Sequence, residues 1–156
     1  MTRFERFSPY AYAALRIVCG SLLAFHGSQK LFGVLTDHQP LLGSQLWVGG
    51  LFEFFCGSAV AVGLKTPWAA LLLSGQMAVA YFQFHWRFAF DARFFPAINH
   101  GELAAVYSFV FLLIACQGPG LVSADGRIAK RRHRRHPTPP PDDVDRVEAA
   151  RHLENV

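Results

Sequence analysis

The chain has 156 residues, of which 52% are hydrophobic, and its 15 Lys and Arg against 11 Asp and Glu give a net charge of +4. The apolar residues concentrate between Pro9 and Cys116 and the charges in the tail after Asp125, a segregation that argues against a soluble globule and for a membrane protein. The three cysteines, Cys19, Cys56 and Cys116, lie in separate apolar runs without CxxC spacing, which excludes a disulfide framework and a dithiol redox motif.

In chain order, Ser8-Pro9 reads as a helix start with Ser8 as N-cap, and the first helix runs to about Leu31 with Gly33 as its stop. Arg16, Gly20, Leu23, Gly27 and Lys30 share one face of it, with His26 beside them. A loop from Val34 to Ser44 follows. The second helix, Trp47 to Gly63, carries one carboxylate, Glu53, between Gly49 and Gly57 on the same face. Small residues admit a neighbouring helix closely, and a lone carboxylate in lipid is costly, so Glu53 is expected to face protein, ligand or water.

Thr66-Pro67 starts a third helix that runs to about Trp86, with Gln76, Ala80, Gln83 and Arg87 as its polar face. Phe88 to Ile98 is aromatic and reads as an interfacial connection. Asn99, with Glu102 three residues on, resembles a capping box that opens a fourth helix ending at Gly118-Pro119-Gly120. Residues 127–156 are basic, then proline-rich from Pro137 to Pro141, and are expected to be mostly disordered, with a short helix from Val144 to Leu153.

The expected fold is therefore all-α: an integral-membrane four-helix bundle in residues 1–126, followed by a tail in residues 127–156. Arg3, Arg6, Lys65, Arg127 and the basic block Lys130 to Arg135 fall on one side of such a threading, which places both termini in the cytoplasm. The block is expected to meet anionic lipids rather than nucleic acid. For a hydrocarbon core of about 30 Å, helical rise puts His26, Glu53, Gln83, His85, Asn99, His100 and Glu102 in the outer half or at its edge. A polar pocket there, with Arg16 in its floor or paired to Glu53, is the expected site. The histidines show no ligand spacing on one helix, so no metal is assigned.

Several stretches together resemble the DoxX family of membrane proteins. They are His26-Gly27-Ser28-Gln29-Lys30-Leu31-Phe32-Gly33, Gly50-Leu51-Phe52-Glu53 with Gly57, Gly63-Leu64-Lys65-Thr66, Gly75-Gln76-Met77-Ala78-Val79-Ala80-Tyr81-Phe82, Pro96-Ala97-Ile98-Asn99-His100-Gly101-Glu102-Leu103-Ala104, and Gly118-Pro119-Gly120-Leu121-Val122-Ser123-Ala124-Asp125. Ala124, where a leucine is common, and the long tail depart from the family pattern. The resemblance implies a multi-pass protein of the bacterial inner membrane. It also implies a subunit of a quinone-linked or thiol and oxidative-stress redox system, an oxidoreductase component working with redox partner proteins and able to oligomerise. Carried over by position, its motif residues are His26, Lys30, Glu53, Asn99, Glu102 and Asp125; Arg16 and Gln76 join them from the polar-face reading.

No dinucleotide fingerprint or haem-attachment motif accompanies them, so the catalytic residues stay unassigned, and quinone is the cofactor that the resemblance leaves open. A non-enzymatic, chaperone-like membrane protein is the alternative reading. A small-solute carrier is weaker, because the sequence shows neither repeats nor broken helices.

Overall fold

The computed structural model describes residues 4–135. The chain divides into two units, residues 1–126 and 127–156. The described residues form six α-helices and no strands. These are α1 (Ser8–Phe32), α2 (Gln45–Val62), α3 (Thr66–Ala80), α4 (Pro96–Asn99), α5 (Glu102–Gln117) and α6 (Ala124–Arg135).

Helix ends follow local chemistry. Gly33 and Gly63 close α1 and α2 at φ 68° and 76°, a left-handed conformation that costs glycine little. Ser44 caps α2 by accepting from the Trp47 N–H at 3.3 Å. Pro9 and Pro67 sit in the first turns of α1 and α3, where a missing N–H is harmless.

Two local expectations need correction. Ser8 does not cap α1, because the chain already turns through a 3-10 segment, Glu5–Phe7, and the boundary residue is Phe7. Asn99 and Glu102 do not form a capping box. Asn99 ends α4, His100 turns left-handed at φ 58°, and Gly101 bounds α5 without a side-chain cap. In addition, α6 carries the basic block to Arg135. Ser123 Oγ accepts from the Gly126 N–H at 3.2 Å, an N-cap bond, and the stretch behind it is rich in helix-forming Arg and Lys with no proline before Pro137. The expected helix from Val144 to Leu153 lies outside the described residues.

Packing in the first unit runs α1 on α2, α2 on α3 and α3 on α5. The α1–α2 contact is backbone to backbone. A Cβ on Gly20 would meet Gly57 O at 2.8 Å, and one on Gly27 would meet Gly50 O at 2.7 Å. Such approach needs small residues and is the usual way helices adhere in lipid. The apolar core between α1, α2, α3 and α5 is centred on Leu23, Val60, Leu73, Phe111 and Ile114.

Polarity is inverted relative to a soluble protein. Phe55, Trp68 and Phe109 are 62%, 73% and 72% exposed, whereas Arg16 is 0% and Glu53 3% exposed. Burying those charges while large apolar groups face outward is favourable only when the surroundings are hydrocarbon. The segment Glu5–Phe32 and the helix Gln45–Val62 are long and apolar enough to cross a membrane, and Glu102–Gln117 is apolar but shorter. α3 has fifteen residues and continues as a six-residue π-helix, Tyr81–Trp86, closed by the Arg87 N–H bond to Phe82 O at 2.9 Å. The third predicted helix thus reaches Trp86, but its last turns are wider than α-helical. Such π turns often occur at functional sites.

Candidate functional site

The polar residues singled out in the sequence separate into two clusters at opposite ends of α1. The first surrounds Glu53. Lys30, in the last turn of α1, places Nζ 2.6 Å from Glu53 Oε1. Gln76 of α3 donates from Nε2 to the same oxygen at 3.1 Å and to Gly49 O at 2.9 Å. The carboxylate is therefore held from α1 and α3 at once, and its other oxygen, Oε2, has no hydrogen-bond partner among the described residues.

Beside this pair lies a cavity of about 260 Å³. Its polar lining is His26, Lys30, Glu53, His85, His100 and Tyr107, and the remaining walls are apolar, Leu23, Met77 and Ala104 among them. The π-helix contributes His85, whose Nδ1 lies 3.2 Å from Asn99 O. Asn99 ties the turn before α5: it donates to Arg93 O at 2.8 Å and accepts from the Gly101 N–H at 2.7 Å. Asn99 therefore positions His85 and His100 rather than lining the cavity. A second, smaller cavity of about 80 Å³ lies between α2 and α3 and shares Lys30, Glu53 and Ala80 with the first.

The second cluster is built on Arg16. Its guanidinium donates to Val60 O, to Ala61 O at 2.8 Å and to Val122 O at 2.9 Å. A cation on the last carbonyls of α2 is favourable, because the helix dipole leaves partial negative charge there. Asp125 stands nearby and accepts from the Lys65 and Thr66 N–H groups at 2.9 and 3.1 Å, supplying from a distance the cap that α3 lacks locally. Tyr12 completes the cluster by donating to Gly118 O at 2.6 Å.

The expected site is corrected accordingly. Arg16 neither pairs with Glu53 nor floors the cavity; it fastens α1 to the end of α2 and to the segment before α6. Asp125 belongs with Arg16. Glu102 is exposed in the first turn of α5 and lines neither cavity. His26, Lys30, Glu53 and Gln76 do come together, although His26 is exposed at the rim. Tyr107 was not anticipated. It is 7% exposed in a largely apolar helix, and its spacing from Ala104 and Phe111 on one face is the signal that could have revealed it. Among the described residues no group of three or more His, Cys, Asp and Glu side chains is arranged to hold a metal ion.

The DoxX family profile matches residues 11–86. An uncharacterized protein of Haemophilus influenzae is 35% identical over 135 residues, covering 84% of this chain and 100% of the relative. The chain belongs to the DoxX family. No solved structure matches it. In this DoxX protein the matched span contains the whole Lys30–Glu53–Gln76 arrangement and Arg16, while Asn99, His100 and Tyr107 come from beyond it.

Proposed function

We propose that this DoxX protein crosses the bacterial inner membrane four times. Its spans are α1, α2, α3 with the π extension, and α5, arranged as a four-helix bundle with both termini in the cytoplasm. The charges favour that orientation: Arg6 and Lys65 fall at the end that holds Arg16 and Asp125, and basic residues are retained on the cytoplasmic side. The basic helix α6 then meets anionic headgroups of the inner leaflet. The larger cavity falls in the outer half of the bundle.

The function that this geometry supports best is binding of a small ring with polar oxygens, such as a quinone headgroup, by the membrane subunit of a quinone-linked or thiol and oxidative-stress redox system. The observation that carries this reading is the 97%-buried Glu53, tied to Lys30 beside an apolar-walled cavity. At about 260 Å³ the cavity lies just below the roughly 300–1,000 Å³ of drug-sized pockets, which suits one ring. The residues fit such a ligand. Lys30 and Tyr107 supply donors for ring oxygens, Glu53 can take or give a proton, and Leu23 and Met77 exclude water. A bound quinone would supply the electron chemistry; the chain supplies orientation and proton contact.

The test is binding of a short-chain quinone to the full chain in lipid nanodiscs, for wild type and Glu53→Gln. Saturable binding, weakened roughly tenfold or more in the variant by the loss of one charge-assisted contact, supports the reading. No binding by wild type refutes it. A second reading, membrane binding or assembly without redox change, draws on the exposed rings of Phe88, Phe90, Phe94 and Phe95 next to the π-helix. Recovery of folding clients by a chain that binds no quinone would favour it.

A further inference from the structure

The four long helices meet along four seams, and three of these are closed. α1 meets α2 backbone to backbone at Gly20 and Gly27. Gln76 of α3 holds Gly49 O of α2. Ser74 Oγ of α3 donates to Ser108 O of α5 at 2.8 Å. In the same pair, a Cβ on Gly101 would meet His85 Cβ and Tyr81 Cδ2, each at 2.8 Å, so the turn before α5 lies tight against the π-helix. The fourth seam, α1 against α5, is different: among the described residues these helices form no packed pair like the other three. They are joined at the Arg16 end, where Tyr12 donates to Gly118 O at 2.6 Å and Phe111 and Ile114 are fully buried. Toward the Lys30 end they become two walls of the larger cavity, Leu23 and His26 from α1, Leu103 and Tyr107 from α5. Leu23 and Tyr107 are buried, whereas His26 and Leu103 are exposed, one on each side of the seam. Leu22, Phe25 and Val106, on the same stretches of α1 and α5, are also exposed. In a chain that buries Arg16 and Glu53 and turns such groups outward, hydrocarbon is what lies against them.

We infer that the larger cavity opens sideways into the membrane between α1 and α5, and that its ligand is an amphiphile with a polar ring as head and a long hydrocarbon chain. The head lies in the cavity and the chain leaves through the seam. This deepens the proposed function, on which it rests for the nature of the head. Size requires such an exit: about 260 Å³ accommodates one ring and leaves no room for a long chain beside it. Chemistry selects the seam. A chain that passes between α1 and α5 stays in hydrocarbon throughout, whereas one that leaves past His85 and His100 carries its methylenes toward water, which is unfavourable for each of them. The Tyr12 bond to Gly118 closes the seam at the other end, so the opening is a wedge. A ligand sliding in from the lipid is stopped with its head beside the Lys30–Glu53 pair and does not pass on toward Arg16. The substrate class is therefore a lipid-soluble molecule drawn from the bilayer rather than a water-soluble ring.

The test is photolabelling of the full chain in lipid nanodiscs with two probes, a benzoquinone and a phenol, each bearing a long alkyl chain with a diazirine close to the ring. Adducts are mapped by peptide mass spectrometry, with and without an excess of the same ring lacking its chain. The expected result is adducts concentrated on residues 19–26 of α1 and 103–110 of α5, reduced roughly tenfold or more by the chainless ring at saturation. Adducts confined to the π-helix and the turn before α5 overturn the sideways opening. So do adducts on the seam that the chainless ring does not displace, because the seam is then an ordinary lipid-facing surface. No labelling by either probe overturns it as well. The two readings fail separately. Displaceable labelling of the seam by the phenol probe, in a protein that binds no quinone, ends the quinone reading and leaves the opening. Saturable binding of a chainless quinone, with the seam unlabelled by both probes, does the reverse.

Discussion

Lys30→Met leaves a carboxylate buried with its charge unanswered. The Glu53 side chain is 4% exposed and the Lys30 side chain 30%, so most of the desolvation falls on the acid. Removing one partner from a fully buried pair costs about 3–5 kcal/mol; the partial exposure of Lys30 and the surviving Gln76 bond bring the expectation to roughly 2–3 kcal/mol. A Lys30→Met, Glu53→Leu double variant removes both charges and both desolvation penalties, and should return to within about 1 kcal/mol of wild type. The assay is reversible unfolding in mixed micelles or lipid bicelles, with wild type, Lys30→Met, Glu53→Leu and the double variant compared as a cycle. If Lys30→Met alone costs under about 0.5 kcal/mol, or the double variant is as unstable as the sum of the singles, the pair is not the buried contact described.

Gly27→Leu forces a side chain into the backbone of α2 and should destabilise the α1–α2 contact by roughly 1–3 kcal/mol or more, read as lost helix association in the same micelles. Arg16→Lys cannot reach both the end of α2 and Val122 with one ammonium, so about 1–3 kcal/mol of stability should disappear while quinone affinity stays at the wild-type level. Charge reversal of Arg127, Lys130 and Arg131, one helical stripe of α6, should abolish the preference for anionic over neutral vesicles, at about 1 kcal/mol per cation. In the connection after the π-helix, hydrogen bonds from Arg93 hold the Asp91 carboxyl down to about 2 from its ordinary 3.8. That pairing is fully present above the ordinary value and is lost as pH falls through about 2, so the Asp91 carboxyl carbon should titrate there by NMR, and at a higher pH in Arg93→Ala, which loses the side-chain bonds and keeps the backbone N–H bond.

Helices and their stops were legible because they are local properties. Pro9, Gly33, Ser44, Gly63, Pro67 and Gly118 mark boundaries within a residue or two of where the chain turns, and an all-α fold followed from the apolar runs. Asn99 and Glu102 misled because a capping box needs one continuous turn, and His100 breaks it with a left-handed residue. The start of the basic stretch is helical because Ser123 caps it and its own residues favour a helix.

The sequence by itself determined that a carboxylate lies inside an apolar helix and that a cation-bearing face of α1 is available to meet it. It could not say which cation. Arg16 and Lys30 lie fourteen positions apart on the same face of α1, and periodicity treats them alike. Only the tertiary register decided: Gly27 settles against Gly50 and Phe54 while Gly20 settles against Gly57 and Ala61. Backbones that close admit no sliding, so Lys30 arrives at Glu53 and Arg16 is carried to the far end of α2.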